Sequence, residues 1–484
     1  MVAITQIVDG LAGPLVMELN DLTSGVGAMI RGRTGLDLAT GQLAAINDAA
    51  DWSPFRGASP LGRRRITVPF LLIGSSADDL GARVAKLMAA TQGPWWLRIR
   101  RHGASADSWL RCFGCVPQID SQVTSSAVPH MAQGTITAET DPYALGARVD
   151  GGDLGSATSM DPVTNAWGIN INNVPGDTAT PLLLRLKDAD AFSEAMGAFI
   201  SVRRRQTPGN LVASALRRQA EDGANTRSAA AHVVFSNLSG DSAMSGGSFL
   251  RATFGDDYEP LATSTVTFAA PTLSGPDAPG VYRMFVRIRR TLVSNSQQVV
   301  LRAYVNGAAI TPEDIIVTAN GAAIRVVDLG LVQWPSGSPP QLAAPLPNAT
   351  GATPTRVTVE FCRKSAGAAT LDFDFMAWIP ADEDGGYLDV DGPLGVPSAQ
   401  YVVIDGYQHL AAITGSNPTG VYGIVGQSYA GVTPTATWAG GVPQVRPGSN
   451  RLFVVAGISG VHGWPIDQTL NVAWSYWPRF TWLR

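Results

Sequence analysis

Val281 to Arg290 reads VYRMFVRIRR, and the alternation in it is nearly complete. Tyr282, Met284, Val286 and Ile288 fall on one face, and Arg283, Arg287 and Arg289 on the other, with Phe285 as the only interruption. Successive side chains of a strand point to opposite faces, so the run predicts an antiparallel strand with a core side and an arginine-lined outer side. Val299 to Val305 and Arg356 to Phe361 continue the pattern. Leu371 to Pro380 (LDFDFMAWIP) sends Leu371, Phe373 and Phe375 one way and Asp372, Asp374, Met376 and Trp378 the other. The connection from Trp334 to Pro347 (WPSGSPPQLAAPLP) is rich in turn residues. Short strands separated by such connections predict a β-sandwich over residues 166–385.

On the N-terminal side, Ile66, Val68, Phe70 and Leu72 share a strand face behind the basic cluster Arg63-Arg64-Arg65. Pro69 lacks a backbone donor, which points to an edge position or a bulge. Ser76 then offers a helix cap, Asp78 and Asp79 occupy the first turn, and Leu80, Val84, Leu87 and Met88 form an apolar stripe. Gly93-Pro94 ends this helix. Trp95 to Arg101 (WWLRIRR) and Trp109 to Val116 (WLRCFGCV) read as a strand pair, and Met131 to Thr140 alternates again. The small, polar stretch from Asp150 to Thr164 marks a boundary, as does Asp382-Glu383-Asp384-Gly385-Gly386. Beyond it, Tyr401 to Ile404, Arg451 to Val455 and Leu470 to Trp477 are further strands, and the aromatic end SYWPRFTWLR needs a surface to dock on. The expected fold is mainly β: an N-terminal β-rich domain with one helix (1–155), a middle sandwich (166–385) and a C-terminal β domain (386–484).

Composition agrees with this. A length of 484 residues corresponds to about three domains, with two to four the natural range. The 52 glycines and 32 prolines are too many for a bundle of long helices and too few for a collagenous chain. With 35 basic against 39 acidic residues the net charge is -4, so wholesale nucleic-acid binding is not expected. The basic residues are nearly all arginine, lysine occurring only at Lys86, Lys187 and Lys364. Arg98/Arg100/Arg101, Arg203/Arg204/Arg205 and Arg287/Arg289/Arg290 lie inside strand-like runs, where salt bridges or subunit contacts are the expected roles. No apolar span long enough for a membrane helix occurs, and the start MVAIT has neither a basic n-region nor a long apolar core, so no signal peptide is expected.

Catalytic signatures are missing. Cys112 and Cys115 have CxxC spacing within a strand-like run, which favours packing over metal or redox chemistry, and Cys362 stands apart. His102, His130, His232, His409 and His462 form no paired ligand spacing, and neither a Walker loop nor a GxSxG elbow is present. Asp372 and Asp374 share a strand face and could serve a glycosidase, bind a cation or pair with the arginine-rich strands. No enzyme is expected.

Two resemblances follow from these residues. GRRRITVPFLLIGSSADDLGARVAKLMAATQGPWWLRIRR (Gly62 to Arg101) with ETDPYAL (Glu139 to Leu145) resembles the distal tail proteins of long-tailed, siphovirus-type bacteriophages. PGSNRLFVVAG (Pro447 to Gly457) and VAWSYWPRFTWLR (Val472 to Arg484) resemble the closing strands of the same class of minor tail components. The resemblance implies a structural virion protein at the tail tip, assembled in the host cytoplasm as a ring, commonly a hexamer. Such a ring joins tail tube to baseplate hub, next to the tape-measure protein. The middle region departs from the simplest members. RQAEDG (Arg218 to Gly223), MSGGSFLRATF (Met244 to Phe254), GVYRMFVRIRR (Gly280 to Arg290) and LDFDFMAWIP resemble an inserted jelly-roll carbohydrate-binding module. That likeness implies a host-surface glycan as a further partner and makes carbohydrate-binding host recognition the alternative function. In that family an early glutamate and a late aspartate hold a structural calcium, and Glu221 and Asp374 stand in the matching places. Pairing of Glu221 and Asp374 with Arg283 or Arg287 is the competing reading. Trp334 and Trp378 are candidates for stacking on sugar or for the core. If the middle is inserted, excising 166–385 is expected to leave a folded remainder.

Overall fold

Alternating strands build nearly all of the architecture. The computed structural model describes residues 2–8, 11, 13–18, 64–101, 106–123, 130–152, 159–160, 168–188, 196–205, 217–269, 280–291, 298–311, 314–317, 324–334, 356–381, 385–391, 401–407, 410–414, 435–456 and 470–481. Within them the sheets are antiparallel and the one α-helix is Ala77–Thr91. No helix among the described residues is long and apolar enough to cross a membrane. The protein is a mainly β, multi-sheet fold.

The N-terminal sheet runs Leu15–Glu18, Val2–Val8, Trp95–Arg101, Ser108–Val123, His130–Thr140, Arg64–Gly74. Pro69 lies in the last of these, at the edge, as its missing donor requires. The helix starts where Ser76 Oγ accepts the Asp79 N–H at 3.1 Å. Asp79 in turn accepts from Arg83 and from the Ser75 N–H, and these bonds hold its carboxyl down to about 2. Leu80 and Leu87 bury against Ile66, Val68, Phe70 and Leu72 of the sheet. A register shift between Phe113 and Val116 turns both Cys112 and Cys115 into this same core, where both are free thiols.

Two further sheets face each other. One runs Gly168–Val174, Gly448–Ala456, Met196–Arg205, Gly386–Asp391, Thr435–Gly440. The other runs Leu410–Thr414, Tyr401–Asp405, Leu183–Asp188, Leu470–Tyr476, Val149–Gly152. Ala198, Ile200 and Val202 from the first meet Leu184, Leu186 and Val472 from the second in one core.

The middle of the chain forms a separate pair of sheets. The first has the order Val233–Ser239, Ser248–Phe254, Ala369–Pro380, Gly280–Thr291, Ile324–Trp334. The second has Thr226–Ser228, Ser264–Ala269, Arg356–Arg363, Val299–Val305, Ala308–Ala309. They pack as a sandwich through Phe361, whose ring lies 5.1 Å from Phe373 and 6.1 Å from Phe254.

The strands paired in this sandwich begin at Arg217 and end at Pro380, so its limits differ from the expected 166–385. Strands between 168 and 205 pair with strands beyond 385 instead. Met196–Arg205 runs against Gly386–Asp391, from Met196 opposite Val390 to Ile200 opposite Gly386. The sandwich thus interrupts what would otherwise be a β-hairpin.

The chain's two ends meet. Arg479 and Phe480 pair with Leu145 and Ala144 in the N-terminal sheet, and Phe480 enters its core. Trp477, Leu183, Val403 and Tyr407 pack on Val8, Trp96, Trp109 and Leu145. Trp95, Leu97 and Ile99 face the helix side while Trp96 faces this junction. The WWLRIRR strand thus buries one face along those three residues and the other only at Trp96, with Arg98 and Arg100 part-exposed beside it.

Candidate functional site

Glu221 and Asp374 come together by strand order. Arg217–Gln219, at the start of the sandwich, pairs with Phe375 to Ala377 on its last long strand, and the Ala220 N–H donates to the Asp374 carbonyl at 2.8 Å. The Asp374 side chain is fully buried and so is that of Arg287, which donates to it through Nη1. The Ser245 N–H donates to Oδ1 at 3.0 Å and to Oδ2 at 3.1 Å. Arg287 Nη2 donates to the Ala243 carbonyl at 2.9 Å, and Arg217 Nη1 to Ser245 Oγ at 2.5 Å. Burial lifts the Asp374 carboxyl above its ordinary range, while Arg287, the Ser245 N–H and Arg217 pull the other way. Burial also lifts Glu221, and the Asp374 charge adds to the effect. Glu221 Oε2 is buried without a hydrogen-bond partner.

These residues do not fit a calcium ion. Calcium takes six to eight oxygens, and Arg287 already occupies the Asp374 carboxylate. Among the described residues no group of three or more His, Cys, Asp or Glu side chains is placed to hold a metal. The arginine pairing foreseen as the competing reading is formed at Asp374 by Arg287, whereas Arg283 pairs with Asp328 at 2.6 Å.

The neighbouring carboxylate is equally engaged. Asp372 accepts from Arg251 at 2.7 and 2.9 Å and from Arg289 at 3.0 and 2.9 Å. Arg289 Nη1 also reaches Asp241 at 2.5 Å. Two ionic clamps therefore press the segment around Asp241 to Ser245 onto the arginine side of the sheet. That face was expected to be an outer surface, but Arg287, Asp372 and Asp374 have no exposed area on it.

Trp378, a candidate sugar-stacking residue, is 1 % exposed and lies in the core, edge-on to Tyr282 with centroids 6.3 Å apart. It cannot meet a ligand without unfolding the strand. Trp334 ends the strand Ile324–Trp334, opposite Gly280, and its side chain lies outside the described residues.

A second arrangement, missed from sequence, joins the sandwich to the hairpin that carries it. Ala198, Ile200 and Val202 point inward, so Phe199, Ser201 and Arg203 point to the opposite face. Phe199 lies 5.6 Å from Phe285 and 5.2 Å from Tyr387, centroid to centroid. Arg203 sits 4.4 Å over the Tyr282 ring and donates to the Val281 carbonyl at 2.9 Å. Ser201 Oγ donates to the Pro380 carbonyl, and the Tyr387 hydroxyl to Asp328. Burial, together with the adjoining Asp328 charge, pushes the Tyr387 hydroxyl far above its ordinary range. The signal was the alternation in MGAFISVRRR, whose polar positions find their partners in the sandwich.

No family model and no curated protein matches the chain. Among solved structures it is weakly similar to the Dit protein of phage SPP1, described as a paradigm of the hub adsorption apparatus in phages infecting Gram-positive bacteria. The TM-score is 0.25 at 9 % identity, over 77 % of this chain and 99 % of that one. The phage p2 baseplate in its activated conformation with strontium gives 0.17 at 9 % identity over 78 % and 99 %. An exo-β-1,3-galactanase from Phanerochaete chrysosporium gives 0.19 at 11 % identity over 78 % and 99 %. Similarities this slight carry no functional weight.

Proposed function

We propose that this chain is a structural protein of a bacteriophage tail tip, built into the virion as a ring. The observation that carries the reading is that the two sequence regions resembling tail components fold onto each other, while the sandwich between them interrupts a single hairpin. The N-terminal sheet and its helix form the assembling part, contacting further copies in a closed, commonly hexameric ring. Tail tube, baseplate hub and tape-measure proteins are its neighbours. The role is architectural: Asp372 and Asp374, the carboxylates that could have served glycoside hydrolysis, are each held by arginine. Adhesion to host glycans through the sandwich would have to use residues other than Trp378.

Electron microscopy of the purified full chain, combined with antibody labelling of phage particles, tests this. Closed rings and label at the distal end of the tail are expected. A protein that stays monomeric at high concentration and is absent from particles would overturn the reading.

A further inference from the structure

We propose that the Arg287 guanidinium takes the structural role that the carbohydrate-module likeness assigns to calcium, so that the sandwich fastens its Asp241 to Ser245 segment without a metal ion. The inference does not depend on the tail-tip reading. A structural cation in such a place draws a loop carbonyl and a strand carboxylate toward one positive centre. Arg287 does this here: one nitrogen is on Asp374 of the last strand and another on the Ala243 carbonyl of the loop. Its planar fork can serve two acceptors at once, which suits it to a fixed bridge.

Charge counting points the same way. Glu221, Asp222 and Asp374 bring three negative charges, and Arg217, Arg218, Arg227 and Arg287 four positive ones, linked by mutual electrostatic interaction. The set already carries one positive charge. A dication added there would leave three uncompensated positive charges beside the fully buried Asp374 and Arg287, which is strongly unfavourable. The adjoining Arg289, bridging Asp241 and Asp372, repeats the device on the same loop.

The test uses the full chain. Its thermal unfolding is followed in calcium chloride and in EDTA, and bound metal is measured after dialysis. No shift between the two media and no stoichiometric calcium are expected. A calcium-dependent rise in melting temperature that Glu221→Gln abolishes would overturn the proposal. Separately, Arg287→Met and Asp374→Asn should each lower the sandwich transition by roughly 10 °C, since each strands a buried charge or its partner. The double variant should recover much of that loss. Losses that merely add would show that the two groups do not act as one clamp. Should the single variants fail to fold, the calcium titration of the unaltered protein still decides.

Discussion

Glu221 carries the least compensated charge of the ionic cluster. One of its oxygens is buried without a partner, and burial together with Asp374 raises its carboxyl above the ordinary value. A raised carboxylate pKa means that the folded state holds its proton more tightly than the unfolded chain. The contribution to stability is then present below the unfolded value of about 4.5 and is lost as pH rises through the folded pKa. Glu221→Gln removes the charge while keeping the shape. It should stabilise the protein slightly at pH 7 to 8, by less than about 1 kcal/mol because the group is partly exposed and screened. The gain should fade as pH falls toward the ordinary glutamate range, where wild type is itself neutral at this position. Urea unfolding at a series of pH values measures this, and a gain that grows on acidification would show that another group is responsible.

Single strands show both the reach and the limit of reading by period. Leu80 and Leu87 under the helix, the Ser76 cap, the edge position of Pro69 and the alternation of Trp95 to Arg101 all follow from local pattern, because each is decided within a few residues. Alternation also says which residues share a face, as with Arg287 and Arg289, but not whether that face is wet. It is dry here because the Asp241 to Ser245 segment folds across it, and that is a long-range event. The lower boundary of the sandwich was illegible for the same reason: the partners of 168–205 lie more than 180 residues away. The proximity of Glu221 and Asp374 was legible from the strand order of a sandwich, while the identity of the cation between strand and loop was not. The shortest consequential element is Arg479–Phe480, which ties the C-terminus into the first sheet. Phe480 is 5 % exposed, and its ring fills the space beside Gly146, where even a Cβ would come within 2.7 Å. Phe480→Ala should cost about 3–5 kcal/mol, the usual range for an emptied aromatic core site. Denaturant unfolding followed by tryptophan fluorescence, a signal summed over the chain's twelve tryptophans, reads this. A loss below about 1 kcal/mol would mean that the terminal strand is an ornament of the sheet and not part of its core.

At the scale of the whole chain, packing passes from the N-terminal sheet through the two carrier sheets to the sandwich. The N-terminal sheet meets Leu183, Val403 and Trp477, the sheet behind these meets Ile200 and Val202, and Phe199 on the far side of that strand meets Phe285 of the sandwich. Excision of the sandwich therefore has a right and a wrong place. Removing 166–385 takes away Gly168–Val174, Leu183–Asp188 and Met196–Arg205, strands that lie inside or alongside the two carrier sheets, and the remainder should fail to fold. Removing 206–384 leaves every strand of those sheets in place. Arg205 then lies five residues beyond Ile200, the partner of Gly386, so about six Gly/Ser residues are enough to close the turn at roughly 3.3 Å per residue. The cut also uncovers Phe199 and Tyr387, an apolar pair on a sheet face, so threonine at both positions should improve solubility without changing the fold. Size-exclusion chromatography and cooperative thermal unfolding distinguish the two deletions. The shorter excision should give a single sharp transition and elute in the same oligomeric state as the intact protein. If 166–385 can be removed with equal success, or if the hairpin-closing deletion collapses into aggregate even with the two threonines, the sandwich is not an insertion in a hairpin and the carrier sheets depend on it for their own folding.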